Sequence, residues 1–481
     1  MVKIFKHYIP LPILLLGGIE LAIVTVSVYT GIFLRYVLGA EMPWGLAMYL
    51  PEALTFSAIL GFAMFALGLY QREYLRDMRT VFVRLATSFT VAFLGLSLVF
   101  YVFPDLKIWR SALAIAIVFA VFGILSVRFA VARTAQFERF KRRILVIGAG
   151  RNAARLFALE RDGGASFSAV GYLPIGNAEP AVPSDRLVAH IELLPALVEQ
   201  RQIDEIVVAI EDWRGTLPTE ALLEAKLNGI NVVHYTTFWE RETGAVDHTA
   251  LNPSWLIFSD GFGGNTIEAA AKRLFDIATS FFILIFTLPL LLATAIVIRL
   301  ESHGPIFYRQ ERVGRGGRSF MLIKFRSMCI DAEKGGMPLW AAKNDARVTR
   351  FGAIIRKARI DEIPQIFNVL KGDMSLVGPR PERPFFVEQL TERIPYYRER
   401  HRVKPGITGW AQLNYSYGAS VGDAMRKLEY DLYYLKNYSV MLDLIILVQT
   451  VRVVLWPDSV TIGCSPAAVA EVTELNKRSA A

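Results

Sequence analysis

Two adjacent carboxylates, Asp361 and Glu362, stand out in this sequence because cationic side chains crowd around them. The cations are Arg350, Arg356, Lys357 and Arg359 upstream, and Lys371 and Arg380 downstream. Basic side chains keep a carboxylate ionised, and they also bind the oxygens of a phosphate. An ionised Asp in such surroundings is suited to act as a metal ligand or as a nucleophile. The alternative is an ordinary helix start, where acidic residues favour the positive end of the helix.

The composition of the 481-residue chain indicates a membrane protein rather than a soluble enzyme. It is 53% hydrophobic, yet it carries 53 Lys and Arg against 44 Asp and Glu, a formal charge of +9. Apolar runs with an excess of basic charge indicate contact with anionic lipid or with an anionic substrate. We expect no nucleic acid partner, because the sequence shows no recognition motif for one. Cys329 and Cys464 indicate neither a disulfide framework nor a metal quartet.

Four apolar runs come first in the chain, at residues 11–34, 46–69, 82–103 and 112–129. Each run approaches the ~20 residues that a helix needs to cross a bilayer. Basic residues are concentrated before the first run, between the second and third, and after the fourth. The positive-inside rule therefore places the N-terminus, and everything after Phe129, in the cytoplasm. These runs predict a four-helix transmembrane region at residues 1–140.

A glycine turn at residues 148–150 follows a buried strand and precedes the start of a helix. Further strands alternate with helices after it: strands at residues 169–173, 205–210 and 231–235, and helices at 193–201 and 222–228. This alternation predicts a Rossmann-like parallel α/β domain at residues 141–262. The turn alone is weak evidence for a bound dinucleotide, because no acidic residue ends the second strand. We therefore expect a structural or regulatory domain.

The segment that follows predicts a linker and then a membrane-anchored domain. Residues 239–264 are rich in turn formers, which is typical of a linker. The apolar segment at about 268–300 has basic flanks at both ends and Pro289 near its middle, where the helix can break and the chain can turn back. We predict a re-entrant membrane helix there, within a mostly α-helical catalytic domain at residues 263–481. An apolar helix at about 440–456 is typical of a segment lying in the bilayer interface.

Four motifs in this C-terminal region resemble those of the bacterial polyprenyl-phosphate hexose-1-phosphate transferases, also called monotopic phosphoglycosyl transferases. They are Lys324-Phe325-Arg326-Ser327-Met328, Asp361-Glu362-Ile363-Pro364-Gln365, Gly372-Asp373-Met374-Ser375-Leu376-Val377-Gly378-Pro379-Arg380-Pro381 and Lys404-Pro405-Gly406-Ile407-Thr408-Gly409. The motifs stand in the family's order, and the resemblance covers roughly residues 272–457. The front of the chain resembles the larger members, which add four membrane helices and a Rossmann-like domain. One departure is Leu288-Pro289, where the smallest members carry Ser-Pro.

The resemblance implies transfer of a sugar 1-phosphate from a UDP-sugar to undecaprenyl phosphate, with release of UMP. It assigns the covalent nucleophile to Asp361, and it gives Glu362 the role of orienting the site or handling protons. It also implies a Mg²⁺ cofactor, for which Asp361 and Glu362 are the candidate ligands. The candidate substrate-binding residues are Lys324, Arg326, Arg356, Pro379, Arg380 and Pro381.

This activity implies a multi-pass protein of the bacterial inner membrane whose catalytic domain faces the cytoplasm and contacts membrane lipid. The step would be the first membrane step of exopolysaccharide, capsule or O-antigen synthesis, and glucose, galactose and N-acetylated hexoses are all candidate sugars. A homodimer stays open as the oligomeric state. Two alternatives stay open as well: a non-catalytic membrane scaffold or regulator of glycan assembly, and a nucleotide-sugar epimerase or dehydratase. The second lacks a Tyr-x-x-x-Lys pair in the α/β domain.

Overall fold

The computed structural model describes thirteen stretches of the chain and one isolated residue. They are residues 2–4, 7–9, 11–38, 49–71, 77–133, 141–161, 165–175, 179–188, 202–211, 217–251, 266–329, 347–415, 418 and 420–456. The chain divides into two compact units, Met1–His234 and Tyr235–Ala481.

The first unit begins with a short antiparallel hairpin and four apolar helices. The hairpin pairs β1 (Val2–Ile4) with β2 (His7–Ile9), and the helices are α1 (Leu11–Val37), α2 (Leu50–Ala66), α3 (Met78–Val102) and α4 (Arg110–Arg133). Helices α1, α3 and α4 are long and apolar enough to cross a membrane, whereas α2 has 17 residues and spans about 26 Å. A Cβ on Gly31 of α1 would clash with the carbonyl of Ala112, so this glycine lets α1 and α4 approach closely. The predicted four-helix region is confirmed.

Buried charges at one end of these helices are paired rather than isolated. Arg84 donates to the carbonyls of Leu67 and Gly68 at 3.1 Å, just after the end of α2. Arg128 lies 2.7 Å from the carboxylate of Glu20, and both side chains are almost completely buried. Because charges in an apolar bundle need such partners, these contacts hold the turn after α2 against α1, α3 and α4.

A parallel sheet follows, with strands in the order β4–β3–β5–β6. The strands are β3 (Arg142–Ile147), β4 (Phe167–Leu173), β5 (Glu205–Val208) and β6 (Asn231–His234), and the described helices are α5 (Arg151–Arg161) and α6 (Thr219–Leu227). The apolar residues of β3 and β5 are buried, as expected for strands with neighbours on both sides. The predicted Rossmann-like sheet is confirmed, and the predicted helix at 193–201 lies outside the described residues.

The second unit begins at Tyr235. This boundary falls inside the α/β domain predicted at residues 141–262, and the unit includes part of the predicted linker. Helix α7 (Tyr235–Thr243) and a 3₁₀ turn (His248–Ala250) pack on later helices of this unit. Glu240 accepts hydrogen bonds from Lys436 at 2.5 Å and from Asn437 at 3.0 Å. The linker prediction is therefore wrong for residues 239–251, because Ala245, Val246 and Leu251 belong to the hydrophobic core of this unit and Glu240 has buried partners. Residues 252–265 lie outside the described part of the chain.

The long apolar segment forms one helix, α8 (Thr266–Glu301), with Pro289 inside it. The prediction that the helix breaks at Pro289 is wrong at the level of secondary structure, although a proline removes one backbone hydrogen bond there. The N-terminal part of α8 is anchored in the second unit, where Lys272 contacts Asp443 and donates to the Val377 carbonyl. Many apolar side chains farther along are exposed, among them Phe281, Phe282, Ile285, Phe286, Leu292 and Ile296. The path of α8 relative to a bilayer stays a prediction.

The rest of the second unit is mostly helical. Two strands form an antiparallel hairpin, β7 (Phe307–Val313) and β8 (Ser319–Phe325), and two pair in parallel, β9 (Ser375–Val377) and β10 (Gly406–Thr408). The helices are α9 (Arg350–Lys357), α10 (Ile366–Lys371), α11 (Pro384–Arg393), α12 (Trp410–Asn414), α13 (Val421–Lys436) and α14 (Val440–Leu455). Leu442 and Ile446 of α14 are buried, whereas Leu444, Val451 and Leu455 are exposed. This second apolar face fits the predicted interfacial helix.

Candidate active site

The carboxylate pair lies in a 3₁₀ turn, Ile360–Gln365, directly after α9. Arg359 starts the turn with a left-handed φ of 59°, and Pro364 lies within it. The turn packs against strand β8 and α9, so Asp361 and Glu362 are 9% and 8% exposed. Burying two adjacent carboxylates is unfavourable unless cations or hydrogen-bond donors accompany them.

Glu362 receives those partners. Its Oε1 accepts hydrogen bonds from Lys324 Nζ and from Arg380 Nη2, each at 2.8 Å, and Arg359 lies 3.7 Å from its Oε2. Burial raises the pKa of Glu362, but Arg380 and Lys324 outweigh it and hold this pKa well below its ordinary value. Glu362 is therefore a fixed anion that holds two cations in place.

Asp361 is in a different situation. Within the described part of the chain, no hydrogen bond to the Asp361 carboxylate is formed. Burial and the adjacent charge of Glu362 raise its pKa, against the opposite influence of Lys324, Arg356 and Arg359. Of the cations that we expected to keep this Asp ionised, Arg359 and Arg380 pair with Glu362 and Lys371 pairs with Asp373. The oxygens of Asp361 are left for an incoming group.

A small cleft adjoins the cations. It is lined by Arg312, Leu322, Lys324, Gln365, Arg380 and Pro381. Burial lowers the pKa of Lys324, and the pairing with Glu362 opposes that shift. A cleft lined by three cationic side chains is suited to a phosphate-bearing molecule.

Sequence reasoning missed Arg312. It lies on β7, where it donates to the Pro381 carbonyl at 3.2 Å and lies 3.7 Å from Glu382. The hairpin register pairs Tyr308 with Lys324 and Arg312 with Phe320. Because alternate residues of paired strands share one face, Arg312 lies on the face of the hairpin that presents Lys324. Recognising a hairpin across residues 314–318 would have given this signal.

The loop that carries Arg380 is held by close backbone packing. Gly378 of the loop and Gly406 of β10 lie so close that a Cβ on either would clash with the other's strand. The Gly406 amide donates to the Pro379 carbonyl at 3.0 Å. Two motifs that are far apart in sequence thus pack backbone to backbone, as only glycine allows. Pro379 contributes its carbonyl to this packing, and Pro381 lines the cleft.

The other two candidate cations are placed differently. The guanidinium of Arg326 donates to the carbonyls of His303 at 2.7 Å and Ser302 at 2.9 Å, at the C-terminal end of α8. Carbonyls at a helix end lack intrahelical partners, so Arg326 stabilises that end, and its guanidinium is not brought to the cleft. Arg356 of α9 acts on Asp361 through its charge, which opposes the rise in the pKa of that carboxyl.

The carboxylates can be compared with the needs of a Mg²⁺ ion, which takes one or two carboxylates together with substrate phosphates and water. Asp361 offers oxygens that no described residue engages. Glu362 offers less, because its Oε1 already accepts from Lys324 and Arg380. The donor set therefore fits an ion held chiefly by Asp361 and by oxygens of the substrate.

The fold and the site together define a membrane protein whose carboxylate–cation centre is suited to phosphate chemistry. A bacterial sugar transferase model matches residues 267–457, and a CoA-binding domain model matches residues 65–212. The UDP-N-acetylgalactosamine-undecaprenyl-phosphate N-acetylgalactosaminephosphotransferase of Aeromonas hydrophila is 46% identical over 291 residues, which is 59% of this chain and 66% of that protein.

Two UDP-glucose:undecaprenyl-phosphate glucose-1-phosphate transferases are also similar to the chain. The protein of Xanthomonas campestris pv. campestris is 44% identical over 182 residues, 37% of this chain and 38% of that protein. The protein of Caulobacter vibrioides is 39% identical over 219 residues, 44% of this chain and 82% of that protein. The chain thus spans just under two thirds of the Aeromonas protein and 38% of the Xanthomonas protein. The chain belongs to the bacterial sugar transferase family.

The match to a CoA-binding domain can be tested at the glycine turn before α5. Gly148 has a left-handed φ of 112°, and the turn leads to the positive N-terminus of α5, where a phosphate binds in many α/β domains. Here the Glu211 carboxylate, which follows β5, accepts from the Arg151 amide at 2.6 Å. A Cβ on Gly150 would lie 2.9 Å from the same carboxylate oxygen. The turn therefore does not fit a nucleotide phosphate unless Glu211 moves away.

Proposed function

We propose that the chain transfers a sugar 1-phosphate from a UDP-sugar to undecaprenyl phosphate, through a covalent intermediate on Asp361. The observation that carries the proposal is the difference between the two carboxylates. Glu362 accepts hydrogen bonds from Lys324 and Arg380, whereas the Asp361 carboxylate accepts none from the described residues. The activities for which the similar proteins are named support the substrate classes.

In the first step, a carboxylate oxygen of Asp361 attacks the phosphorus that bears the sugar. The bond from this phosphorus to the bridging oxygen breaks, and its electron pair leaves with that oxygen as UMP. The product is an acyl phosphate that carries the sugar. In the second step, a phosphate oxygen of undecaprenyl phosphate attacks the same phosphorus. The bond to Asp361 then breaks, which restores the carboxylate and gives undecaprenyl-diphosphate-sugar.

The surrounding residues supply charge and position rather than further covalent chemistry. Lys324, Arg380 and Arg312 line the cleft and stabilise negative charge on the diphosphate and on the leaving UMP. Glu362 keeps Lys324 and Arg380 in place before the substrate arrives, so little reorganisation is needed during the reaction. Asp361 would hold a Mg²⁺ ion, which when bound supplies further neutralisation of the diphosphate oxygens.

The proposed setting is the cytoplasmic face of the bacterial inner membrane, at the first membrane step of exopolysaccharide, capsule or O-antigen synthesis. UDP-sugars are made in the cytoplasm, so Asp361 has to face it. Exposed apolar side chains of α8 and α14 support a site beside the bilayer, where the acceptor phosphate lies at headgroup depth. Both ends of α8 contact the same unit, through Lys272 and Asp443 near one end and through Arg326 and Ser302 at the other, which supports a re-entrant course.

The test is a transfer assay with the full-length protein in detergent. Labelled UDP-glucose, UDP-galactose and UDP-N-acetylgalactosamine are each incubated with undecaprenyl phosphate and Mg²⁺. We expect labelled lipid and an equal amount of UMP with at least one donor. Asp361→Asn is the matched control, since it removes the nucleophile with little change of shape. Absence of labelled lipid with every donor, in a protein shown to be folded, would favour the scaffold interpretation.

A further inference from the structure

The Arg380 loop is held from a second side by a buried arginine that does not line the cleft. Arg400 lies in the 3₁₀ turn Tyr397–Arg402 and is 5% exposed. Its Nη2 donates to the main-chain carbonyl of Arg380 at 3.0 Å. Arg380 is thus fixed at both ends: its carbonyl is bound by Arg400, and its guanidinium is bound by Glu362 at 2.8 Å.

Arg400 is itself held by two other side chains. Asp431 of α13, 2% exposed, accepts from Arg400 Nε at 3.0 Å and lies 2.8 Å from its Nη2. Arg400 Nη1 lies 2.7 Å from the Tyr397 hydroxyl, to which it donates. Burial is the chief cause of a raised pKa for Asp431, and Arg400 opposes that shift. A buried ion pair of this kind is weak evidence for stability, because apolar residues would often serve as well.

The geometry explains why an arginine is used. A guanidinium has donors in a fixed planar fork, so Arg400 contacts Asp431, Tyr397 and the Arg380 carbonyl in three set directions. A lysine at this position would offer a single nitrogen without that directionality. The guanidinium of Arg400 therefore links α13 to the backbone of the Arg380 loop.

We propose that Arg400, oriented by Asp431, is a positioning residue for the transferase reaction. It fixes the backbone at Arg380, so that the Arg380 guanidinium stays on Glu362 and at the edge of the cleft. The inference rests on the proposed function for its catalytic consequence. Its binding consequence, weaker retention of a diphosphate, can be measured without any transfer.

The experiment is a double-mutant cycle between Arg400 and Arg380, using Arg400→Lys, Arg380→Ala and the double variant in the full-length protein. We expect Arg400→Lys to lower kcat/KM for the UDP-sugar by about 10²-fold, the scale of a small misplacement of a catalytic group. In the Arg380→Ala background the same change should cost less than about 3-fold, because residues that act as a unit are non-additive. UDP binding by calorimetry should show the same pattern.

Two further variants keep the test decisive. Arg402→Lys is the matched control: Arg402 lies two residues away, its side chain is 64% exposed, and its guanidinium pairs only with Glu399 among the described residues. It should leave kcat/KM and UDP affinity unchanged. If Arg400→Lys fails to fold by circular dichroism, Tyr397→Phe removes one partner of Arg400 and should give a smaller, equally non-additive loss.

Equal losses from Arg400→Lys with and without Arg380 would overturn the positioning role, as would an effect no larger than that of Arg402→Lys. Failure of the proposed function looks different. In that case the wild-type protein transfers no sugar, while the cycle measured by UDP binding still reports whether Arg400 acts through Arg380.

Discussion

The Arg380 guanidinium and the Glu362 carboxylate are joined at 2.8 Å, although 18 residues separate them in the sequence. Lys324, which comes 38 residues before Glu362, meets the same carboxylate oxygen at the same distance. The contact therefore joins three motifs at one atom. Because Glu362 satisfies both cations, the neighbouring Asp361 is left as the reactive member of the pair.

This relationship predicts that substitution of Asp361 chiefly reduces transfer, whereas substitution of Glu362 reduces the stability of the protein. Asp361→Asn should reduce transfer by at least about 10³-fold, since a covalent nucleophile is removed. It should leave the thermal unfolding midpoint nearly unchanged. Glu362→Gln should lower the free energy of unfolding by about 2 kcal/mol, because Lys324 and Arg380 lose a charged partner. Transfer assays and thermal unfolding in the same detergent measure both effects, and substantial turnover by Asp361→Asn would refute the assignment.

The acid limb of the activity profile should report the raised pKa of Asp361. A protonated carboxyl is a poor nucleophile, so kcat/KM should fall as pH falls through that pKa, beginning above the ordinary Asp value of about 3.9. Glu362 stays ionised over this range, because its pKa is held low. Since the charge of Glu362 raises the pKa of Asp361, Glu362→Gln should move the limb to lower pH. A limb that stays in place or moves to higher pH would contradict this electrostatic account.

The packing of α7 predicts where an active C-terminal fragment should begin. A chain starting at Tyr235 keeps the bonds from Glu240 to Lys436 and Asn437, whereas a chain starting at residue 265 loses them. The longer fragment also keeps the hydrogen bond from Trp410 to the Gly244 carbonyl at 2.7 Å. We expect both fragments to transfer sugar, and the shorter one to unfold at least about 5 °C lower. Equal unfolding midpoints would show that this segment contributes nothing to the unit.

The proposed re-entrant course of α8 can be tested with single cysteines near Glu268 and Ser302, in a chain lacking Cys329 and Cys464. Both positions should be protected from an impermeant thiol reagent in cells with an intact inner membrane. Both should react once that membrane is opened. Labelling near Ser302 in intact cells would mean that α8 crosses the bilayer, and the cytoplasmic active site would then be wrong.

The Glu211 carboxylate at the start of α5 predicts that the α/β domain excludes phosphate groups. We expect no measurable binding of CoA or pyrophosphate by the wild-type chain in calorimetry. Glu211→Ala should gain pyrophosphate binding, because it frees the amides at the helix N-terminus. Asp204→Asn is the matched control, since Asp204 accepts from the Arg143 amide at the other end of β5. Equal binding by wild type and Glu211→Ala, or none by either, would show that Glu211 is not the barrier.

Local pattern was sufficient for much of the architecture. The apolar runs determined the membrane helices, because a bilayer of fixed thickness demands a fixed length of apolar helix. The alternation of short apolar strands with helices determined the parallel sheet, because such strands need helices to cover both faces. The Asp361–Glu362 pair and its cations were also visible as a candidate site. Each of these features can be recognised from residues that lie close together in the sequence.

Tertiary structure decided which side chains share the site. Lys324 and Arg326 are two residues apart, yet Lys324 meets Glu362 whereas Arg326 binds the end of α8. The register of the β7–β8 hairpin places Arg312 at the cleft. Residues predicted as a linker form α7 instead, because their partners lie on α13, about 200 residues later in the chain. Sequence spacing shows that carboxylates and cations are present. The choice of partner depends on which charges are buried together, and that is settled only when distant segments pack.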